Sequence, residues 1–158
     1  MKNHYLFAGL AITLLVSCNN DDTVKNTSQG DFVELKAHSV TPNFLKTTPE
    51  FSGVKVYPVL SSADQLTGSP EFVYGSMADG AGLMYDQINE NFTLINNIEA
   101  DYSIARVKFD KSFTPITGEY ILNADATAFT AQCSGTLITP QEHGFGPLYL
   151  SGGEWGGS

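Results

Sequence analysis

Short β-prone runs separated by turn-sized polar stretches dominate the second half of the chain. From residue 81 onward they are AGLMYD, NFTLINN, YSIARVKFD and TGEYILN. These runs are rich in aromatic and β-branched residues, which favour strands, and the stretches QINE, IEAD and KSFTPIT between them are turn-sized. The pattern predicts a four-stranded antiparallel meander, which is also the unit of one β-propeller blade. TAFTAQC and GPLYLSG are then expected to open the next blade.

The third run indicates which side chains the sheet would bury. Ala105, Val107 and Phe109 alternate with Arg106 and Lys108, the period of two that marks a strand with one face in the core. No amphipathic stretch of normal helical length follows the N-terminal leader, so we expect an all-β fold of antiparallel meanders. One blade and part of another would leave open sheet edges, which a propeller removes by radial closure. We therefore expect a β-propeller that is incomplete in this chain.

The stretch ahead of the meander is predicted to be irregular but folded. Residues 54–60, VKVYPVL, are strand-like, although Pro58 restricts such a strand to a sheet edge or a bend. Residues 71–76, EFVYGS, are predicted to form another strand. Ser61 or Ser62 in SSADQL offers a cap for a single helical turn.

The N-terminus has the pattern of a secretion signal. Lys2 precedes an apolar run over residues 5–16, which is shorter than the roughly 20 residues that a bilayer-spanning helix needs. The run ends in LVSC, which resembles a bacterial lipobox; this implies that residues 1–17 are a lipoprotein signal peptide and that Cys18 carries lipid. The alternatives are a signal peptide cut elsewhere and a buried apolar helix, and the polar NNDDTVKNTSQGD that follows argues against the helix.

The lipobox resemblance also implies where the protein resides. Residues 18–50 are predicted to be the lipidated cysteine and a flexible tether, and residues 51–158 the N-terminal portion of the propeller domain. Two or more acyl chains hold a protein at a membrane, so the membrane is a partner through the lipid on Cys18. We expect a bacterial outer-membrane lipoprotein that faces the periplasm or the cell surface, since NNDD after Cys18 resembles surface-export signals.

The charge balance excludes one class of partner. The chain has 8 basic and 17 acidic residues, and loss of residues 1–17, which hold Lys2 and no acid, would change the net charge from −9 to −10. Nucleic-acid binding depends on cations that neutralise phosphates, so we expect no DNA or RNA partner. Scattered carboxylates would tolerate calcium or another hard cation, although surplus charge is usually a solvated surface.

Two polar stretches beside the predicted strands are candidates for ligand binding. In NNIEAD, Glu99 and Asp101 lie between two strands, where carboxylates and amides suit a hard cation, but a solvated turn is the simpler interpretation. In SMADGAG, the glycines and Asp79 lack the lysine and hydroxyl of a phosphate-binding P-loop. We therefore expect a tight turn there, with positive φ at Gly80 or Gly82.

The third candidate is CSGTLITPQEHGFGPLYLSGGE, which begins at Cys133 and ends at Glu154. If Cys18 is lipidated, Cys133 is the remaining thiol, and it is a buried apolar residue, a metal ligand or a reactive thiol. Cys133 and Glu154 would form a mixed soft and hard donor set that suits iron or zinc. His143 is expected to be a surface-loop residue, and no serine here lies in a G-x-S-x-G nucleophile elbow.

Three phrases together resemble the N-terminal part of PhoX-type alkaline phosphatases and their wider phosphatase-like propeller family. The phrases are SPEFVYGSMADGAGL, LINNIEADYSIARVKFD, and CSG followed by GFGPLYLSGGE. The resemblance implies a β-propeller whose central cluster of iron and calcium hydrolyses phosphate monoesters. Position by position, it implies that Cys133 and Glu154 are metal ligands and that Glu99 is a further one. Trp155 stands where the family has a second acid, and NNIE lacks the family's histidine.

The sequence thus predicts the N-terminal fragment of a lipid-anchored, metal-dependent phosphatase-like propeller whose parent acts on phosphorylated small molecules. The remaining ligands of the family would lie beyond residue 158, so we expect this chain to bind no complete metal cluster and to be inactive. One alternative is a non-catalytic surface module in which Tyr85, Tyr102 and Tyr120 engage a glycan or a protein. Another is a small structural lipoprotein whose Cys133 is core.

Overall fold

A four-stranded antiparallel meander is the centre of the fold. The computed structural model describes residues 35–156, which fall within one compact unit, Val33–Ser158. The first sheet consists of β1 (Ala78–Asp86), β2 (Asn91–Ile98), β3 (Ser103–Phe109) and β4 (Pro115–Leu122), hydrogen-bonded to one another in chain order. The predicted antiparallel meander is confirmed, and each strand overlaps the β-prone run that predicted it.

β3 buries alternate side chains, as its sequence indicates. Ala105, Val107 and Phe109 are at most 2% exposed and lie in the core. Arg106 lies on the opposite face, where its Nη2 is 2.5 Å from Oε1 of Glu119 on β4. The alternation within ARVKFD is therefore confirmed, and it determines which face of the sheet enters the core.

The segment ahead of β1 covers that core face without adding a strand to the sheet. Leu66 and Phe72 are buried in the same cluster as the core residues of β2 and β3. Val59, Leu60 and Tyr74 pack against this cluster and are partly buried. The segment therefore supplies the apolar cover that a one-sided sheet requires.

Both strand predictions for this segment are wrong. Residues 54–60 and 71–76 form no strand. Pro58 lacks an amide hydrogen, and its carbonyl oxygen accepts hydrogen bonds from the amides of residues 38 and 39, so it pairs with a loop. Phe72 lies over Gly118 of β4, which has no side chain to displace the ring. The apolar residues that made these stretches strand-like therefore pack into or against the core one by one, without forming a strand.

In SSADQL the predicted cap is present, because Ser61 Oγ accepts a hydrogen bond from the Ala63 amide at 3.3 Å, but the turn is not helical and a carboxylate organises it. Asp64 accepts hydrogen bonds from the Ser61 amide and from the Val40 amide, each 2.6 Å long. Burial alone would raise the pKa of Asp64, but hydrogen bonds from Ser39, Val40 and Ser61 outweigh it and hold that pKa below 3.8. The turn therefore fastens residues 39–41, which belong to the predicted tether, to the folded segment.

The last part of the chain forms a second, two-stranded antiparallel sheet. It consists of β5 (Thr130–Ile138) and β6 (Leu148–Gly156), joined through the short helix α1 (Pro140–His143). β5 and β6 begin within TAFTAQC and GPLYLSG respectively, the runs that were expected to open a second unit. Strand formation in this region is therefore confirmed.

The second sheet lies against β1 on the face opposite the core. Leu83 pairs with Leu94, which packs on the core, so the alternating Gly82 points to the other side. A Cβ on Gly82 would lie 2.8 Å from Cβ of Leu137 and 3.3 Å from the ring of Tyr149. The absence of a side chain at Gly82 therefore lets β5 and β6 approach β1 closely.

The predicted glycine turn at SMADGAG is wrong, because these residues belong to a strand. Gly80 and Gly82 lie inside β1, and neither has positive φ. Met77, just before the strand, has φ 55°. The glycines are used here for close packing of backbones and not for a turn.

The coarse fold prediction is confirmed: the protein is mostly β, with antiparallel sheets of four and two strands. Neither sheet closes on itself within residues 35–156. No helix in that range has the length and apolar character needed to cross a membrane. The predicted signal peptide, residues 1–17, and the lipidated Cys18 lie outside the described residues.

Candidate functional site

A thiol and two carboxylates from three strands meet where β1 packs against the sheet formed by β5 and β6. Cys133 of β5 donates a hydrogen bond to Asp79 of β1, with Sγ 2.8 Å from Oδ2. Glu154 of β6 is close enough for its negative charge to raise the pKa of the same thiol. We call Asp79, Cys133 and Glu154 the thiol–carboxylate cluster. Cys133 is partly exposed and both acids are exposed, so the cluster is open to solvent.

The two acids strongly disfavour ionisation of the thiol. The hydrogen bond to Asp79, desolvation, and the negative charges of Asp79 and Glu154 raise the pKa of Cys133 from 9.0 to about 12. A thiolate would add a third negative charge to this group of atoms, so the proton stays on sulfur at neutral pH. A coordinating metal ion would reverse this preference, because a metal-bound thiol is deprotonated.

Close backbone contact brings β1 and β5 together at the cluster. A Cβ on Gly80 would overlap the amide nitrogen of Gly135 and would lie 2.6 Å from the carbonyl oxygen of Cys133. A Cβ on Gly135 would overlap the hydroxyl of Tyr149. Asp79 can reach Cys133 because glycine follows Asp79 directly on β1 and lies two residues after Cys133 on β5, where the two backbones touch.

Asn97 is the buried polar link between the two sheets. This residue of β2 is fully buried, and its Nδ2 donates to the carbonyl oxygens of Cys133 and Ser134, at 2.9 and 3.1 Å. The hydroxyls of Tyr149 and Ser151 each lie 3.1 Å from its Oδ1. Both ends of the amide are therefore satisfied, as a buried polar group requires.

Glu99 is held by a different partner. It begins the single 3₁₀ turn Glu99–Asp101 between β2 and β3, and its Oε1 accepts a hydrogen bond from Nε1 of Trp155 at 3.2 Å. The indole of Trp155 also packs edge-on against Tyr102, with ring centroids 5.6 Å apart. Trp155 therefore connects Glu99 to the strand that carries Glu154.

The donor atoms of the thiol–carboxylate cluster suit iron, which is one of the two metals that the resemblance implies. Within residues 35–156 no set of three His, Cys, Asp or Glu side chains is arranged to hold a metal ion. One thiol and two carboxylates are donors that iron accepts. Calcium takes six to eight oxygen ligands, and the cluster's two carboxylates offer fewer. The residues present therefore fit iron in donor type, and they do not fit calcium.

Two of the three predicted metal ligands come together, and sequence reasoning missed their third neighbour. Cys133 and Glu154 share the cluster, whereas Glu99 lies against Trp155. Asp79 was assigned to a turn because glycines surround it in the sequence. The prediction that His143 is a surface residue is confirmed, since it is exposed at the end of α1.

Comparisons with protein-family models, with curated proteins and with solved structures found no match to this chain.

Cys133 is expected to be slow to alkylate in the metal-free protein, because its high pKa leaves little thiolate at pH 8.5. In a Cys18→Ser background, Asp79→Asn should increase the rate with iodoacetamide at least tenfold, since it removes the carboxylate whose hydrogen bond raises the pKa of Cys133 most and whose charge raises it further, and tenfold more thiolate corresponds to one pKa unit. The profile of alkylation rate against pH should shift to lower pH by at least about one unit. Asp125→Asn, at an exposed acid outside the cluster, is the control. Equal rates for both variants would contradict the Asp79–Cys133 contact.

Proposed function

We propose that this chain is the N-terminal part of a lipid-anchored, metal-dependent phosphatase-like β-propeller protein that hydrolyses phosphate monoesters. In this proposal Cys133 and Glu154 are metal ligands, Asp79 is a third, and Glu99 is a further ligand, as the resemblance implies. The 158-residue chain alone is inactive, because most of the ligands come from elsewhere in the parent protein. Cys18 anchors the protein in the outer membrane.

The proximity of Cys133 to two carboxylates is the observation that carries this proposal. The resemblance implied Cys133 and Glu154 as ligands from positions far apart in the sequence, and both act on the same thiol. Asp79 adds a second hard donor through the 2.8 Å contact with Sγ. The two carboxylates carry like charge at one solvent-open position beside the protonated thiol, and a cation bound there would be attracted to both of them.

Each residue of the cluster would have its own role in metal binding. Cys133 must lose its proton to bind a metal, and the Asp79 carboxylate already accepts the hydrogen bond from that proton. Asp79 is therefore the group that would take the proton and pass it to solvent. The metal, when bound, supplies positive charge that neutralises phosphoryl oxygens. Asn97 supports the cluster by holding the backbone carbonyl of Cys133.

The test compares the metal content and phosphatase activity of two samples. One is the present chain, and the other is the longest product that the downstream reading frame encodes. We expect the extended product to contain iron and calcium and to hydrolyse a phosphate monoester, and the present chain to do neither. Cys133→Ala and Glu154→Ala should remove iron and activity from the extended product. An extended product without metal, or a reading frame that stops at Ser158 beside a stably folded chain, would overturn the proposal.

A second candidate function, a surface module that binds a glycan, is favoured by a groove separate from the cluster. That groove has its own acids and aromatic rings, and none of its lining residues belongs to the cluster.

A further inference from the structure

An open groove of about 450 Å³ lies between the segment ahead of β1, the β2–β3 turn and the end of β4. Its volume is within the range of small-molecule sites, roughly 300–1,000 Å³. We call it the acidic groove and define it by six of its lining residues, Glu71, Phe72, Asp101, Ser103, Tyr120 and Asn123.

Ser103 gives the groove wall an unsatisfied polar group. The residue is 3% exposed, and its Oγ has no hydrogen-bond partner. A buried hydroxyl without a partner costs about 1–3 kcal/mol, and such groups are few in native proteins. Ser103 lines the groove, but its Oγ has almost no accessible surface, so a ligand hydroxyl would supply the missing hydrogen bond once the side chain rotates toward the groove.

The aromatic rings of the groove are held in place. Phe72 and Tyr120 have ring centroids 5.4 Å apart. The Tyr120 hydroxyl donates to the carbonyl oxygen of Val73 at 2.9 Å, which fixes the orientation of its ring. The faces of such rings attract the weakly positive C–H groups of an apolar surface. The ring of a sugar has C–H groups of this kind beside its hydroxyls.

The polar groups of the groove favour a neutral ligand with many hydroxyls. Glu71 and Asp101 are acceptors, and no Lys or Arg lines the groove, which disfavours phosphates and other anions. Asn123 accepts the Ala126 amide through Oδ1 at 2.9 Å, so its Nδ2 is the part that can donate. An organic cation would use only the acceptors, whereas a polyol uses acceptors and donors together.

We propose that the acidic groove binds a neutral oligosaccharide, with one sugar ring against Tyr120 and its hydroxyls shared among Asp101, Ser103 and Asn123. The proposal does not depend on the metal-dependent function. Cys133→Ser should therefore leave oligosaccharide binding unchanged, and the acidic groove could fail its test while the cluster passes, or the reverse.

The test is calorimetric titration of the full chain, as Cys18→Ser, with maltohexaose, cellohexaose, xylohexaose and mannohexaose. At least one should bind with Kd below about 1 mM. Asp101→Asn should weaken that binding at least tenfold, while Asp125→Asn, with the same charge change at an exposed acid outside the groove, should leave it unchanged.

Ser103→Ala separates binding from a structural role. It should weaken the same titration about fivefold by removing one hydrogen bond, yet leave urea stability unchanged or higher, because it removes an unsatisfied hydroxyl. Three results would overturn the proposal. They are no binding of any of the four sugars, tighter Asp101-dependent binding of spermidine or choline, and a stability loss in Ser103→Ala that accompanies its weaker binding.

Discussion

Asn97→Leu is expected to lower the free energy of unfolding by about 3 kcal/mol or more. The leucine is similar in size, but it leaves the carbonyls of Cys133 and Ser134 without their buried partner, and each orphaned group costs about 1–3 kcal/mol. The hydroxyls of Tyr149 and Ser151 keep acceptors in the carbonyl oxygen of Gly80 and in Oε1 of Gln132, so the loss comes from the two carbonyls. Urea unfolding followed by circular dichroism measures the loss.

Asn91→Leu is the matched control for Asn97→Leu. Asn91 lies on the same strand and the same side of the sheet, and it is partly exposed at the strand's first position. We expect less than about 1 kcal/mol for this change, as for most surface substitutions. Similar losses for the two variants would show that Asn97 does not link the sheets.

Gly80→Ala should be nearly as damaging, by about 3 kcal/mol. The added methyl group would overlap the backbone of Gly135, and backbone cannot move aside as a flexible side chain can. Relief requires β5 to withdraw from β1, which would also separate Asp79 from Cys133. The same urea experiment measures stability, and faster alkylation of Cys133 would report the separation.

Gly53→Ala is the control for Gly80→Ala, because a Cβ on Gly53 meets nothing within 4 Å. It should change stability by less than about 0.5 kcal/mol. If Gly80→Ala also stays within that range, the close approach of β1 and β5 is wrong, and the thiol–carboxylate cluster loses its structural basis.

The strands of the meander could be predicted because their periodicity is local. In β3 the alternation of Ala105, Val107 and Phe109 with charged residues is visible in five consecutive positions, and no distant contact is needed to interpret it. Residues 54–60 misled the same reasoning. They have β-prone composition, but their partner is the loop around residues 38 and 39.

The candidate site was predictable only in part, because proximity across strands leaves no local pattern. Cys133 and Glu154 were identified through resemblance, and nothing in the sequence joined Asp79 to them. Gly80 and Gly82 were interpreted as turn residues because glycine is permissive in turns, but glycine also permits two backbones to pack closely. One signal could have revealed this packing. Gly80 and Gly82 occupy alternate positions of a strand-length run, and β-prone residues follow them.

Asn97 shows the same limit for buried polar residues. An Asn-Asn pair ahead of two acids is typical of a solvated turn, yet Asn96 and Asn97 are both buried within β2. Their amides satisfy backbone carbonyls on other strands, Asp79 and Gly80 for Asn96 and Cys133 and Ser134 for Asn97. Such a role depends on tertiary contacts that composition does not encode.

Cobalt(II) titration of the longest downstream-extended product, as Cys18→Ser, tests most directly whether Cys133 is a metal ligand. A thiolate bound to cobalt gives a charge-transfer band in the near ultraviolet. We predict this band at one equivalent of cobalt, its loss in Cys133→Ser, and weaker cobalt binding in Asp79→Asn and Glu154→Ala. Cobalt binding without the band, or an equal band in Cys133→Ser, would contradict a metal centre at the thiol–carboxylate cluster.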